Sequence, residues 1–96
     1  MKSDKLPKEW EDHAKWQYMS FFLETIIPAL QFMIREGNSY PAKITPKKWR
    51  KILSEMKEGF ELAKKRINYE KLTKREEMKI EDSFDLFKRY FFHLWD

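Results

Sequence analysis

The stretch that decides the fold is residues 44–63, ITPKKWRKILSEMKEGFELA. Thr45 is a typical helix N-cap, and Pro46 suits the first helical position because an amide there would have no intrahelical partner. Ile44 and Trp49 occupy the two positions of a hydrophobic staple. Apolar residues then recur every three or four positions, which predicts a helix with one buried face. This face comprises Trp49, Ile52, Leu53, Met56, Phe60, Ala63 and Ile67.

A longer helix precedes this one. It begins at about Pro7 or Trp10 and ends at about Glu36. Gly37 and Asn38 form the predicted stop signal, because a glycine just past the last turn can adopt the left-handed conformation.

The first helix is unusually apolar between Trp16 and Ile34, over well more than half of its circumference. Pro28 lies inside it and removes one backbone hydrogen bond, which predicts a kink. Either the kinked helix runs through the centre of a monomer, or its spare face packs on a second subunit as a homodimer. The candidate interface residues are Tyr18, Phe22, Glu24 and Phe32.

A third helix opens with Thr73 and Glu76 at the spacing of a capping box. Its apolar residues, spaced by four and three, form a heptad-like seam. They are Ile80, Phe84, Phe87, Phe91 and Leu94. We therefore expect an all-α protein, with residues 1–96 forming one domain. The expected architecture is a three-helix antiparallel bundle with a long, Pro-kinked first helix.

The composition and charge pattern of the chain argue against several classes of protein. The 96 residues include no cysteine, so disulfides and thiolate metal sites are excluded, as suits a cytoplasmic protein. The N-terminus alternates charges where a signal peptide needs an apolar run. The most apolar stretch contains five polar residues, one of them a carboxylate, which argues against a membrane span.

Catalytic groups are hard to find. His13 and His93 lie eighty positions apart with no metal-ligand spacing, and the two glycines, Gly37 and Gly59, form no phosphate loop. Acidic rows on the second and third helices have lysines or arginines three or four residues away, as solvated ion pairs do. We expect no enzyme activity, no metal and no cofactor.

Glu24 is the only charged residue of the apolar stretch. An unpaired buried carboxylate costs several kcal/mol, so we expect Glu24 to reach a basic partner or the bundle surface. The alternative is a specificity contact within an interface.

Basic charge concentrates in the middle of the chain. Residues 43–75 hold twelve Lys and Arg against four Glu, a net charge of +8 within a total of +4. Lysines in a first helical turn oppose the helix dipole, so folding alone would not favour them. The cluster predicts an anion-binding or partner-binding surface, with nucleic acid as one candidate. Its residues are Lys43, Lys47, Lys48, Arg50, Lys51, Lys57 and Lys64.

Three parts of the chain carry a resemblance. They are GxxYP from Gly37, ITPxxWxxILxxMxxGF from Ile44 and DLFxxYFxxLWD from Asp85. In these parts the chain resembles a group of small proteins encoded by tailed bacteriophages, over a region that extends from about Trp16 to the end. The group has acidic residues where this chain has Lys47 and Lys48, so the basic cluster is a departure from its pattern.

The resemblance implies that the protein acts during phage infection. It implies no catalytic or binding residues, since the group has no established activity. Small phage proteins of this kind commonly occupy a surface of a host enzyme, a defence complex or the phage's own machinery. We therefore expect a non-enzymatic protein that binds and modulates a protein partner, an anti-CRISPR-like inhibitor being one form. The alternative is a nucleic-acid-binding protein that uses the basic face of the second helix.

Overall fold

The computed structural model describes residues 8–37 and 40–94, with side chains from residue 16 onward. This part of the chain forms three α-helices and a short 3₁₀ turn, with no strand. The elements are α1 (Lys8–Glu36), α2 (Pro46–Ile67), α3 (Lys74–Tyr90) and the 3₁₀ turn Phe91–His93. The prediction of an all-α helical bundle is confirmed.

The middle helix of the bundle is α2. It packs against both neighbours, whereas no Cα of α1 lies within 8 Å of a Cα of α3 among the described residues. The first helix buries Leu23, Ile26 and Leu30 on one face only. The interpretation of α1 as a central helix is therefore wrong, because α2 holds that place and leaves half of α1 open to solvent.

The start of α2 follows its sequence signals. The backbone amide of Lys48 donates to the Thr45 side-chain oxygen at 3.1 Å, and Pro46 is the first helical residue. Trp49 is buried and Ile44 is half-buried. Local chemistry therefore fixes where α2 begins, and its buried face then sets how it packs.

Helices α2 and α3 approach each other closely at Gly59. A Cβ placed there would clash with the Ser83 side chain and lie 2.6 Å from the Lys79 carbonyl oxygen. Ser83 is itself buried, and its hydroxyl donates to the Ile80 carbonyl at 2.6 Å. A residue without a side chain is thus required at Gly59 for the two helices to meet at this distance.

Helix α3 begins as predicted and ends early. Thr73 and Glu76 form both hydrogen bonds of the capping box. The α-helix stops at Tyr90 and gives way to the 3₁₀ turn, so the predicted seam does not continue in helical register through Phe91. Of the seam residues, only Ile80 and Leu94 are fully buried.

The left-handed backbone conformation predicted for Gly37 occurs at other residues instead. Helix α1 ends at Glu36, as predicted, but Gly37 does not have a positive φ, and its amide still donates to the Met33 carbonyl. Asn38 lies outside the described residues. The left-handed positions are instead Lys43 and Tyr69, with φ of 70° and 63°. Helix α1 runs without a break through Pro28, and the kink there stays a prediction.

Candidate protein-binding surfaces

Three of the four candidate interface residues on α1 are solvent-exposed. Tyr18 and Phe32 are 68% and 57% exposed, and Glu24 lies at the surface. The fourth, Phe22, turns inward. Its ring lies 5.6 Å from the ring of Phe60, and it also contacts two rings of α3. The structure therefore does not bring all four residues to one surface, because Phe22 packs on the core.

Phe21 is the aromatic residue that sequence analysis missed. It is 70% exposed and lies on the side of α1 opposite the buried Leu23, Ile26 and Leu30. Helical periodicity could have identified it. Phe21 is three residues from Tyr18 and eleven from Phe32, and both spacings place residues on nearly the same side of an α-helix. A helix that buries one face normally carries polar residues on the other, so exposed rings at these positions indicate a use other than folding.

A second apolar surface is the groove between α1 and α3. It has a volume of about 550 Å³ and opens to solvent. Its lining residues include Tyr18, Met19 and Phe22 of α1, Ile67 and Arg66 of α2, and Phe84 of α3. The groove exists because α1 and α3 both pack on α2 and, among the described residues, contact each other through side chains such as Phe22 and Phe84 without a close backbone approach.

Arg66 is the one cation among the residues that line this groove. Its guanidinium is mostly exposed and lies 3.9 Å from the Glu77 carboxylate, at the limit of an ion pair. Such an exposed pair contributes little to stability, so Arg66 remains available to an acidic ligand at the rim.

The basic cluster divides into two parts. Lys43, Lys47, Lys48, Arg50 and Lys51 are all exposed, and none forms an ion pair with a described side chain. Four of the five lie in the first six residues of α2, a helix with no acidic residue in its first turn. The structure therefore groups these five cations at one end of α2.

The other two predicted cations are separate. Lys57 donates to Glu61 at 3.3 Å, within the same helix. Lys64 is exposed, but it lies thirteen residues beyond Lys51, which is about 20 Å along the helix axis. The basic surface thus comprises the five cations between Lys43 and Lys51 and does not extend along α2 to Lys64, as the sequence had suggested.

Trp49 does not present a stacking surface. Its side chain is only 5% exposed, and its ring packs edge-on against that of Tyr90 at 5.3 Å between centroids. A nucleic-acid base needs an open ring face for stacking, so any nucleic acid bound here would be held through its phosphates.

Glu24 lies at the surface, which is one of the two positions expected for it from the sequence. The Ser20 hydroxyl donates to its Oε1 at 3.4 Å. The carboxylate therefore does not sit in the core as an uncompensated charge. Its part in an interface stays a prediction.

Groups suited to catalysis or metal binding are not assembled in the described residues. No cluster of three His, Asp or Glu side chains there could hold a metal ion. His93 is exposed, with its ring against that of Tyr90, and His13 lies among the residues whose side chains are not described.

Glu58 pairs with Lys79 at 2.7 Å and Glu61 pairs with Lys57, so two members of the acidic row on α2 form solvated ion pairs.

One carboxylate has a shifted titration. The pKa of Glu76 is lowered from its usual 4.5, chiefly because the Thr73 backbone amide donates a hydrogen bond to the carboxylate, with the Thr73 side chain contributing next. The shift belongs to the capping box and therefore to the start of α3. It does not mark a chemical site.

None of the helices within residues 8–37 and 40–94 is long and apolar enough to cross a bilayer. Comparison with models of protein families, with curated proteins and with solved structures finds no match to this chain.

Proposed function

We propose that this chain is a non-enzymatic interaction protein of the phage type, which binds and modulates a host, defence or phage protein. The observation that carries the proposal is the groove between α1 and α3. It is an apolar channel of about 550 Å³ with Arg66 at its rim. An anti-CRISPR-like inhibitor is one form that such a protein takes.

The groove suits an amphipathic helix of the partner. Two helices on a shared third helix leave a channel whose floor is apolar, and a helix binds such a channel through residues at i, i+3, i+4 and i+7. Met19 and Phe84 are both close to half-exposed and would be covered by this partner helix. An acidic residue of the partner would meet Arg66. The resemblance to small phage proteins supports a protein as the partner, and it indicates no particular site.

Affinity capture with the full chain tests the proposal. Met19→Lys places a charge in the groove, and Met78→Lys is the matched control because Met78 is an exposed methionine on α3 outside the groove lining. We expect the wild type and the control to retain the same protein from a lysate of phage-infected bacteria, and Met19→Lys to lose it. Equal retention by all three chains would contradict the proposal, provided that circular dichroism shows all three folded.

The alternative function is nucleic-acid binding at the start of α2, and the five exposed cations there support it. Mobility shift on DNA and RNA at low and high salt measures it, because a phosphate-bound complex weakens steeply as salt rises. Lys47, Lys48, Arg50 and Lys51 replaced together by Glu would abolish that shift. Absence of any shift at low salt removes this alternative and leaves the protein-binding proposal standing.

The proposal also includes a homodimer and a cytoplasmic location. The cysteine-free sequence is compatible with a reducing compartment. The exposed rings of Tyr18, Phe21 and Phe32 give α1 apolar surface that the folded monomer does not cover.

A further inference from the structure

The start of α2 and the end of α3 meet at one end of the bundle. The rings of Trp49 on α2 and Tyr90 on α3 pack edge-on at 5.3 Å between centroids. This contact joins residues 40–51, which contain the start of α2, to residues 86–94, which contain the end of α3 and the 3₁₀ turn. We call these two segments together the basic end.

The basic end contains cations and no acidic side chain. Its 21 residues include seven Lys and Arg and no Asp or Glu, although 16 of the 96 residues of the chain are acidic. The net charge of the whole chain is +4, so the remaining residues sum to −3. The seven cations are Lys43, Lys47, Lys48, Arg50, Lys51, Lys88 and Arg89. The charge of this protein is thus concentrated at one end, where it fits a polyanion.

These seven cations are available to a ligand. All are exposed, and none forms an ion pair with a described side chain. They belong to two helices, so the basic end is wider than the five cations at the start of α2. Phosphates of a bound nucleic acid would relieve the repulsion between them and release their own counterions.

Exposed aromatic rings lie among the cations. Phe92 is 82% exposed and Tyr40 is 50% exposed. Consecutive Cα atoms are about 3.8 Å apart, so the Cα of Phe92 lies within about 8 Å of that of Tyr90, and the Cα of Lys48 within about 4 Å of that of Trp49. The most exposed ring of the basic end is therefore close to the contact between the two segments.

The 3₁₀ turn presents Phe92 to solvent. Leu94, two residues later, is 5% exposed and belongs to the core, whereas the ring of Phe92 contacts that of Phe91 edge-on at 5.2 Å between centroids. The core thus holds the turn through Leu94, and Phe92 contributes little buried area of its own. An open ring beside unpaired cations has the chemistry of a base-stacking residue.

We propose that the basic end binds a single strand of nucleic acid, with its phosphates on the lysines and arginines and one base stacked on Phe92. Proteins that bind single strands combine a positively charged surface with aromatic rings on which bases stack. This inference rests on the nucleic-acid alternative above and adds the strand class, the two cations of α3 and the stacking residue. Trp49 takes no part in stacking, because it is buried.

Two other polyanions fit the basic end less well. A duplex keeps its bases paired and stacked inside the helix, so it offers Phe92 no free base. An anionic membrane attracts cations too, but a helix that binds a membrane surface inserts a continuous apolar face. The exposed rings of the basic end lie instead on a linker and a turn, at Tyr40, Phe91 and Phe92.

Fluorescence anisotropy with labelled strands of about 16 nucleotides gives the first test. The probes are oligothymidine, oligouridine and an abasic strand of the same length and charge. We expect the full chain to bind the thymidine or the uridine strand at least about 5-fold more tightly than the abasic strand, because one stacked base contributes that much. The first two probes tell DNA from RNA. Equal affinity for the abasic strand, or no binding at low salt, overturns the proposal.

Phe92→Ala tests the stacking residue. We expect it to weaken binding of the base-containing strand by about 5-fold or more and to leave the abasic strand and a duplex of the same length unaffected. Phe92→Trp should restore the affinity, since indole also stacks. Phe21→Ala is the control, because it removes an exposed ring outside the basic end. Equal loss in the two alanine variants, or an equal loss on the abasic strand, overturns the role of Phe92.

Charge reversal tests the two cations of α3. The variant carries Lys88→Glu and Arg89→Glu, and the control carries Lys71→Glu and Lys74→Glu, which change the net charge equally. Lys74 is about 24 Å from Tyr90 along the axis of α3. We expect the first variant to lower the slope of log affinity against log salt by about 1.4, which corresponds to two phosphate contacts. Equal slopes in both variants would show attraction by net charge alone and overturn the site.

Vesicles that contain phosphatidylserine test the membrane surface. We expect the chain to bind the base-containing strand at a salt concentration at which it does not sediment with the vesicles. Sedimentation with vesicles where no strand is bound overturns the proposal in favour of a lipid surface. None of these outcomes bears on the groove, which Met19→Lys tests separately, and loss of the groove proposal leaves the basic end unaffected.

Discussion

Helix α1 and the α2–α3 pair use apolar residues differently. Every large apolar residue of the stripe on α2 is buried or half-buried, and the helix has one face for the core and one for solvent. Helix α1 buries Leu23 and Leu30 on its inner face but exposes Phe21 and Phe32 on the other. Folding accounts for the residues of α2. It accounts for only half of α1, whose outer face keeps apolar rings that the described bundle does not cover.

The largest expected effect is that of Phe60→Ala on α2. Phe60 is fully buried, and its ring contacts those of Phe22, Phe84 and Phe87 at 5.0 to 5.7 Å between centroids. We expect the free energy of unfolding, measured by urea denaturation, to fall by about 3–5 kcal/mol. A loss below about 1 kcal/mol would contradict the description of α2 as the central helix.

The next effect is that of Gly59→Ala. Alanine favours a helix over glycine by about 1 kcal/mol, but the added methyl meets Ser83 and the Lys79 carbonyl. We expect a net loss of about 1–3 kcal/mol, because the two helices must separate. Ser54→Ala, at an exposed position of the same helix, is the control and should change stability by less than about 0.5 kcal/mol.

A smaller effect concerns the start of α3. The pKa of Glu76 is lower in the folded chain than its usual 4.5, so its stabilising contribution is complete above that pH and is lost as the pH falls through the folded value. Urea midpoints measured from neutral to acidic pH should therefore fall below about pH 4.5. Glu76→Gln keeps a hydrogen-bond acceptor for the Thr73 amide and does not titrate, so its midpoints should fall less over the same range. Identical profiles would assign the acid response to other carboxylates.

The smallest expected effect on the folded monomer is that of Phe21→Ala. Its ring is exposed, so the free energy of unfolding should change by less than about 0.5 kcal/mol when measured at concentrations where the chain is monomeric. Phe21→Ala on α1 and Phe60→Ala on α2 are the same substitution. The difference between their losses of stability therefore compares the two helices directly. A loss above about 2 kcal/mol would show that the exposed ring of Phe21 contributes to the monomer fold.

Sequence predicts those parts of this fold that depend on neighbouring residues. The N-cap at Thr45 and the capping box at Thr73 follow from local hydrogen bonds, and the buried stripe of α2 follows from helical spacing. Which helix occupies the centre could not be predicted, because that depends on how the helices associate. The contact between Gly59 and Ser83 was missed for the same reason, since neither residue is apolar enough to be recognised as core.

The candidate surfaces were predicted less completely than the fold. The sequence indicated surplus apolar surface on α1, but a helix that is apolar over more than half of its circumference does not reveal which side faces the core. Phe22 was therefore assigned to an interface, and Phe21, one residue away, was missed. The left-handed turns were missed because glycine is the usual signal, and Lys43 and Tyr69 fill those positions here.

The place of α2 between its two neighbours has a kinetic consequence. Helices adjacent in the chain are adjacent in space, and the two that are distant in the chain share no close backbone approach among the described residues. Few large loops must therefore close before native contacts form. Helical domains with such local connectivity fold in microseconds to milliseconds, so the chain spends little time with the core residues of α1, Leu23, Ile26 and Leu30, exposed to water.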